Sequence, residues 1–247
     1  MKKYVFAILA CAFWSFISQQ TPEGVITYAT KINMHKRIPA EREEMKQMIP
    51  EFNISKSLLL FSPSESLYKP VPEDENPFDQ APGGGRVMMR TVMANETYLD
   101  RNESLVTQLR EFMGKKYLIK KEQNGIPWKL ENETKEIQGY TCKSAFYIDE
   151  NKREIRAWYT EAIRQPLGPE SFHGLPGLIM EVVINDDEIV ISAEKLELRP
   201  LKKNELKAPK GGQEVTEEDY RAMVEEQMKN MGMQQNGQGS FRMIIRN

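Results

Sequence analysis

Apolar and polar residues alternate along most of this chain, and turn signals cut the alternation into segments of strand length. Residues 25–34 alternate first, followed by 57–61, 66–69, 87–94, 97–99, 105–112 and 116–122. A period of two places one side of each segment on a core. Asn124-Gly125, between 116–122 and 128–130, is a dipeptide suited to a tight hairpin. Residues 140–148 and 153–163 alternate again around a turn at 149–152, with Ile155, Ala157 and Tyr159 on one face and Arg156 and Trp158 on the other. The apolar run 178–184 reads as a buried strand, joined through Asn185-Asp186-Asp187 to 189–198. In that last segment Ile189, Ile191 and Ala193 share one parity while Leu196 and Leu198 have the other. A one-residue slip near Lys195 reconciles them, which is what a β-bulge supplies, and bulges bend strands.

Two segments have helical spacing. Residues 37–48 place Ile38, Met45, Met48 and Ile49 on one side before Pro50. Residues 220–231 align Tyr220, Met223, Val224, Gln227, Met228 and Met231 behind a capping-box-like Thr216-Glu-Glu-Asp219. Residues 241–245 return as a final edge strand. The expected fold is therefore mainly β (α+β): a strongly curved, half-barrel-like antiparallel sheet with one N-terminal and one C-terminal helix. Residues 70–85, rich in proline, glycine and acid, offer little to bury and read as a mobile loop within a single β-rich domain spanning 19–247 that ends in a helical, methionine-rich tail at 216–233.

Residues 1–18 carry Lys2 and Lys3 ahead of a 14-residue apolar stretch. That is too short for a membrane span of about 20 residues and fits an export signal peptide. Ile8-Leu-Ala-Cys11 resembles a lipobox, but lipidation at Cys11 would strand Phe13, Trp14 and Phe16 beyond the anchor, so the expectation is a periplasmic or envelope protein without a lipid. No second long apolar run follows, and none of the mature chain is expected to span a membrane. Loss of Lys2 and Lys3 makes the formal charge of −2 more negative, which argues against nucleic acid as a partner. Only Cys142 then remains, so no internal disulfide is available.

The segment 172–182, FHGLPGLIMEV, places leucines on both shoulders of Pro176-Gly177. Proline followed by glycine suits a type II turn, with positive φ at Gly177, and Gly174, Pro176 and Gly177 are the expected structural turn. Gly139-Tyr-Thr-Cys142-Lys-Ser-Ala145, Ile155-Arg-Ala-Trp158-Tyr159-Thr160, Gly168-Pro169 and the hexapeptide at 174–179 occur in order. This block resembles the GLPGLI family of bacterial cell-envelope proteins. The resemblance implies an envelope location, and a TonB-dependent outer-membrane transporter as the class of partner. It carries no activity with it. Against that background the four Asn-x-Ser/Thr triplets at Asn53, Asn95, Asn102 and Asn132 read as coincidence.

No GxSxG elbow, HExxH helix, phosphate loop or paired CxxC is present. The leading expectation is a non-enzymatic protein binding an apolar ligand or a partner protein, with Trp158, Tyr159, Phe172, His173, Leu175 and Leu178 lining the site and no cofactor. The alternative is soft-metal (copper) binding through Cys142, His173 and methionines, which suit Cu(I). A third is a hydrolase whose residues are too scattered for motif detection.

Overall fold

The computed structural model describes residues 22–71 and 95–230, together with the short strands Met233–Gln235 and Phe241–Met243. The signal-peptide segment, Cys11, the expected strand at 87–94 and all of the 70–85 loop except Pro70 and Val71 lie outside the described residues.

Twelve strands form one sheet: β1 Gly24–Asn33, β2 Phe52–Phe61, β3 Glu65–Pro70, β4 Glu96–Asp100, β5 Leu105–Phe112, β6 Lys115–Glu122, β7 Lys129–Ile137, β8 Tyr140–Ile148, β9 Glu154–Thr160, β10 Leu178–Ile184, β11 Ile189–Leu198 and β12 Gln213–Val215. Their order is β12-β6-β5-β4-β3-β2-β1-β11-β10-β9-β8-β7. Every neighbouring pair is antiparallel except β12 with β6. The two tail strands, β13 Met233–Gln235 and β14 Phe241–Met243, pair only with each other. The expected mainly β, curved and unclosed sheet is present.

Chain connectivity explains the curvature. Ten strand spacings separate β6 from β7, a distance of about 48 Å in a flat sheet. Seven peptide steps join Glu122 to Lys129, and they reach at most ~25 Å. The sheet must therefore curl into a bowl, with residues 123–128 strapped across its opening. Asn124-Gly125 is consequently part of this strap and not the hairpin its dipeptide suggests. The bulge expected near Lys195 is present: Thr27 faces Lys195 while Tyr28 faces Ala193, leaving Glu194 as the extra residue of β11.

The concave face and the long β9–β10 connection share the core. Ile26, Tyr28, Leu59 and Phe61 from β1 and β2 join Ala157, Val182 and Ile191, with Ile163, Leu167 and Leu175 of the connection packed among them. Tyr28 is fully buried and its hydroxyl donates to the Ile179 carbonyl at 2.5 Å. Tyr28→Phe removes that donor without changing shape, and about 2 kcal/mol of stability is expected to go with it. Chemical unfolding of the two proteins checks this.

The C-terminal helix, α1 Glu217–Asn230, is capped as its sequence predicts. The Thr216 hydroxyl oxygen accepts from the Asp219 amide at 3.0 Å, and Tyr220 packs edge-on against Tyr117 of β6. The N-terminal helix is absent. His35–Arg37 and Ala40–Gln47 are 3-10 turns, interrupted at Arg42 (φ −133°), and neither buries a residue. Met48 is 82% exposed, so the apolar stripe of 37–48 meets no partner, and without tertiary packing so short a helix is not stable. No helix among the described residues is long and apolar enough to cross a membrane.

Candidate functional site

A cavity of about 490 Å³ opens between the concave sheet, the strap and the β9–β10 connection, within the range of small-ligand pockets. The sheet contributes Leu59, Ser66, Tyr68, Thr97, Leu99 and Val106. These are alternate positions on β2 to β5 that the ladders bring into line: Leu59 faces Tyr68, Tyr68 faces Thr97, and Leu99 faces both Ser66 and Val106. The strap adds Gln123 to Pro127, the end of β8 adds Tyr147, and the β9–β10 connection adds Leu167, Gly168 and Glu170 to His173.

The strap and the connection are stitched together at His173. Its Nδ1 lies 2.7 Å from the Ser171 carbonyl oxygen and its Nε2 lies 2.9 Å from that of Asn124. Trp128 Nε1 donates to the His173 carbonyl at 2.7 Å. The Trp128 ring also meets Tyr147 edge-on, with centroids 4.8 Å apart, and Phe172 at 6.4 Å. The result is an aromatic wall held by hydrogen bonds on both sides of the opening.

Glu170 is the unusual residue of this cavity. Its backbone has φ +53°, a left-handed conformation costing about 1 kcal/mol for a residue with a side chain. The side chain reaches solvent inside the cavity, yet protein surrounds it closely enough that poor solvation of the charged form raises its carboxyl above the ordinary range, against the opposing charges of Arg110 and Arg153. Among the described residues the carboxyl has no hydrogen-bond or ion-pair partner. Burial pushes the Tyr68 hydroxyl up to about 12, Glu170 adding to the rise and hydrogen bonds with Ser57 and Thr30 opposing it. A left-handed backbone and a carboxyl that faces the cavity without a partner among the described residues make Glu170 a candidate functional position.

Of the six residues expected at a binding site, Phe172 and His173 border this cavity. Trp158 and Tyr159 do not: Trp158 is buried on β9 with the Lys135 ammonium 4.3 Å from its ring centroid, and Tyr159 is buried beside it, opposite Ile179. Leu175 and Leu178 are buried in the core. Cys142 is fully buried on β8, its Sγ 3.4 Å from the Tyr140 carbonyl oxygen. Burial pushes its thiol up to about 11, with Lys135 opposing. With that thiol kept protonated and both ring nitrogens of His173 facing carbonyls, neither is a prepared metal ligand. No group of three or more His, Cys, Asp or Glu side chains among the described residues could hold a metal.

The turn motif also differs from expectation. Gly177 does not take positive φ; Gly174 does, at +88°. Gly177 is instead required by contact, since a Cβ there would lie 2.1 Å from the Thr160 carbonyl oxygen. The residues that sequence reasoning missed, Glu170, Tyr68, Thr97 and Tyr147, carry no motif. Only the alternation of β3 and β4 signals that Tyr68 and Thr97 point inward with their apolar neighbours.

Two crystal structures of PNGF-II, in P21 and C2 space groups, superpose on this fold with TM-scores of 0.57 and 0.56 at 15% and 16% identity. Each alignment covers 82% of this chain, and the chain spans about a third of PNGF-II, 33% and 32% of its length. Comparison by sequence with curated proteins gives no match. The family model for the N-glycanase peptide, N-terminal domain, matches residues 89–222. This overturns the GLPGLI assignment: the hexapeptide at 174–179 is present, but the family shown is a different one. The expectation of a non-enzymatic protein binding an apolar ligand or a partner protein falls with it, as does its soft-metal alternative. On residues 89–222, more than half of its length, the chain belongs to the family of the N-glycanase peptide, N-terminal domain.

Proposed function

We propose that this protein acts in N-glycan chemistry, as an N-glycanase-type domain that receives the glycan of an N-linked glycopeptide in the cavity of the bowl. The family match carries this reading. Residues 89–222 take in β4 to β12, the strap and the whole β9–β10 connection, so they supply most of the cavity lining, Glu170 included. The lining chemistry suits a sugar. Hydroxyl and carboxyl groups at Ser66, Tyr68, Thr97 and Glu170 can exchange hydrogen bonds with sugar hydroxyls, while Tyr147 and Phe172 offer flat apolar faces. The leader-like residues 1–18 agree with export, and N-linked glycans are borne by secreted proteins.

The test uses the purified chain and one N-glycosylated peptide, with the same peptide lacking its glycan as control. The expected result is glycan release with conversion of the linked asparagine to aspartate, read by mass spectrometry, or saturable binding of the glycopeptide alone. Absence of both overturns the reading.

A further inference from the structure

Among the described residues, the cavity lining is richer in acid than in base. It holds four carboxylate residues, Glu122, Asp149, Glu150 and Glu170, and one lysine, Lys121. That lysine is already held by Glu217 of α1 at 2.5 Å. Asp149 is committed to Arg153 at 2.8 Å and to the backbone amides of Asn151 and Arg153. Glu170 is different: it makes no such bond among the described residues, although Arg110 of β5 and Arg153 lie within electrostatic range. It is held in a left-handed backbone between Pro169 and Ser171. A strained, solvent-reached carboxyl with free oxygens, beside Tyr147 and Phe172, is a prepared acceptor.

We infer that Glu170 anchors a sugar ring in this cavity through its hydroxyl groups, with Tyr147 and Phe172 against the ring, and that the site takes neutral sugars and rejects anionic ones. The inference rests on the reading of the cavity as a glycan site. A carboxylate has two oxygens and several lone pairs, matching adjacent hydroxyl donors, whereas a sulfate or carboxylate on the sugar meets like charge from the acidic residues of the lining. The raised carboxyl adds a second readout. A carboxyl held above its ordinary value binds its proton more tightly in the fold than in the unfolded chain. Stability therefore falls as pH rises through the window between the ordinary and the raised value. Glu170→Gln removes that penalty, so it should leave Tm at pH 7 unchanged or higher while weakening sugar binding. A residue with a merely structural role would lower Tm instead.

Calorimetric titration of the full chain with N,N′-diacetylchitobiose, the neutral disaccharide at the base of N-linked glycans, and with its 6-O-sulfated form tests the inference. The wild-type protein is expected to favour the neutral sugar by about tenfold or more, and Glu170→Gln to lose about tenfold in affinity for it, the size of a hydrogen bond to a charged group. Equal affinity of Glu170→Gln and wild type, or equal or tighter binding of the sulfated sugar, overturns it. So does no binding of either sugar by the wild type. In each of these cases the glycopeptide experiment decides separately whether the N-glycan reading survives.

Discussion

Gly177→Ala is expected to lower stability by about 3 kcal/mol or more, the upper range for overpacking a site that cannot relax, and to lower the unfolding midpoint by about 10 °C for a chain of this size. A Cβ at this position would lie 2.1 Å from the Thr160 carbonyl oxygen, 2.7 Å from its carbonyl carbon and 3.1 Å from Glu161 Cα. All three atoms are backbone at the end of β9, so no side chain can swing aside. Relief would require moving β10 away from β9, where Leu178 pairs with Thr160 and Ile179 with Tyr159. Gly174 supplies the control. It has φ +88° but open space where a Cβ would go, so Gly174→Ala should cost only the left-handed penalty of about 1 kcal/mol. Thermal unfolding followed by circular dichroism ranks the two. If Gly174→Ala proved the more damaging, close approach would not be what selects glycine at 177.

The same two glycines show where sequence reasoning reaches and where it stops. Pro176-Gly177 reads as a type II turn because local dihedral preference is all that a dipeptide carries. The approach of Thr160, seventeen residues away, is a tertiary fact. Asn124-Gly125 failed for the same reason: the dipeptide permits a hairpin, but β6 and β7 lie toward opposite ends of the sheet and the strap has another task. Features confined to one strand or one helix end were legible. The parity change in β11 pointed to a slip near Lys195, next to the bulged Glu194, and Thr216 with Asp219 located the start of α1. The cavity was half legible, through Phe172 and His173 beside the motif. Glu170 was not, because a single glutamate after Gly168-Pro169 resembles any solvated loop acid until the opposite strands are in view.

Arg101→Met should show how the connection carrying Glu170 is held. Arg101 sits in the β4–β5 turn and its Nη1 donates to the Gln165 side-chain oxygen at 2.6 Å and to the Pro63 carbonyl at 2.9 Å. Gln165 is fully buried, and its amide nitrogen donates to the Pro22 carbonyl at 3.0 Å. One polar side chain inside the core thus ties the connection to the β4–β5 turn and to the segment before β1. Methionine keeps much of the arginine stem but leaves the Gln165 oxygen buried without a donor, a loss of about 3 kcal/mol. Adding Gln165→Met should cost less than it does alone, because the orphaned oxygen disappears with it, so the pair should fall short of additivity by about 1 kcal/mol. The connection itself gives the local readout. The amides of Leu167, Gly174 and Ile179, bonded to the carbonyls of Gln165, Pro166 and Leu167, should exchange hydrogen faster in Arg101→Met, while those between β1 and β2 keep wild-type protection. Uniform acceleration across the sheet would mean that Arg101 supports the whole fold and has no particular hold on the connection.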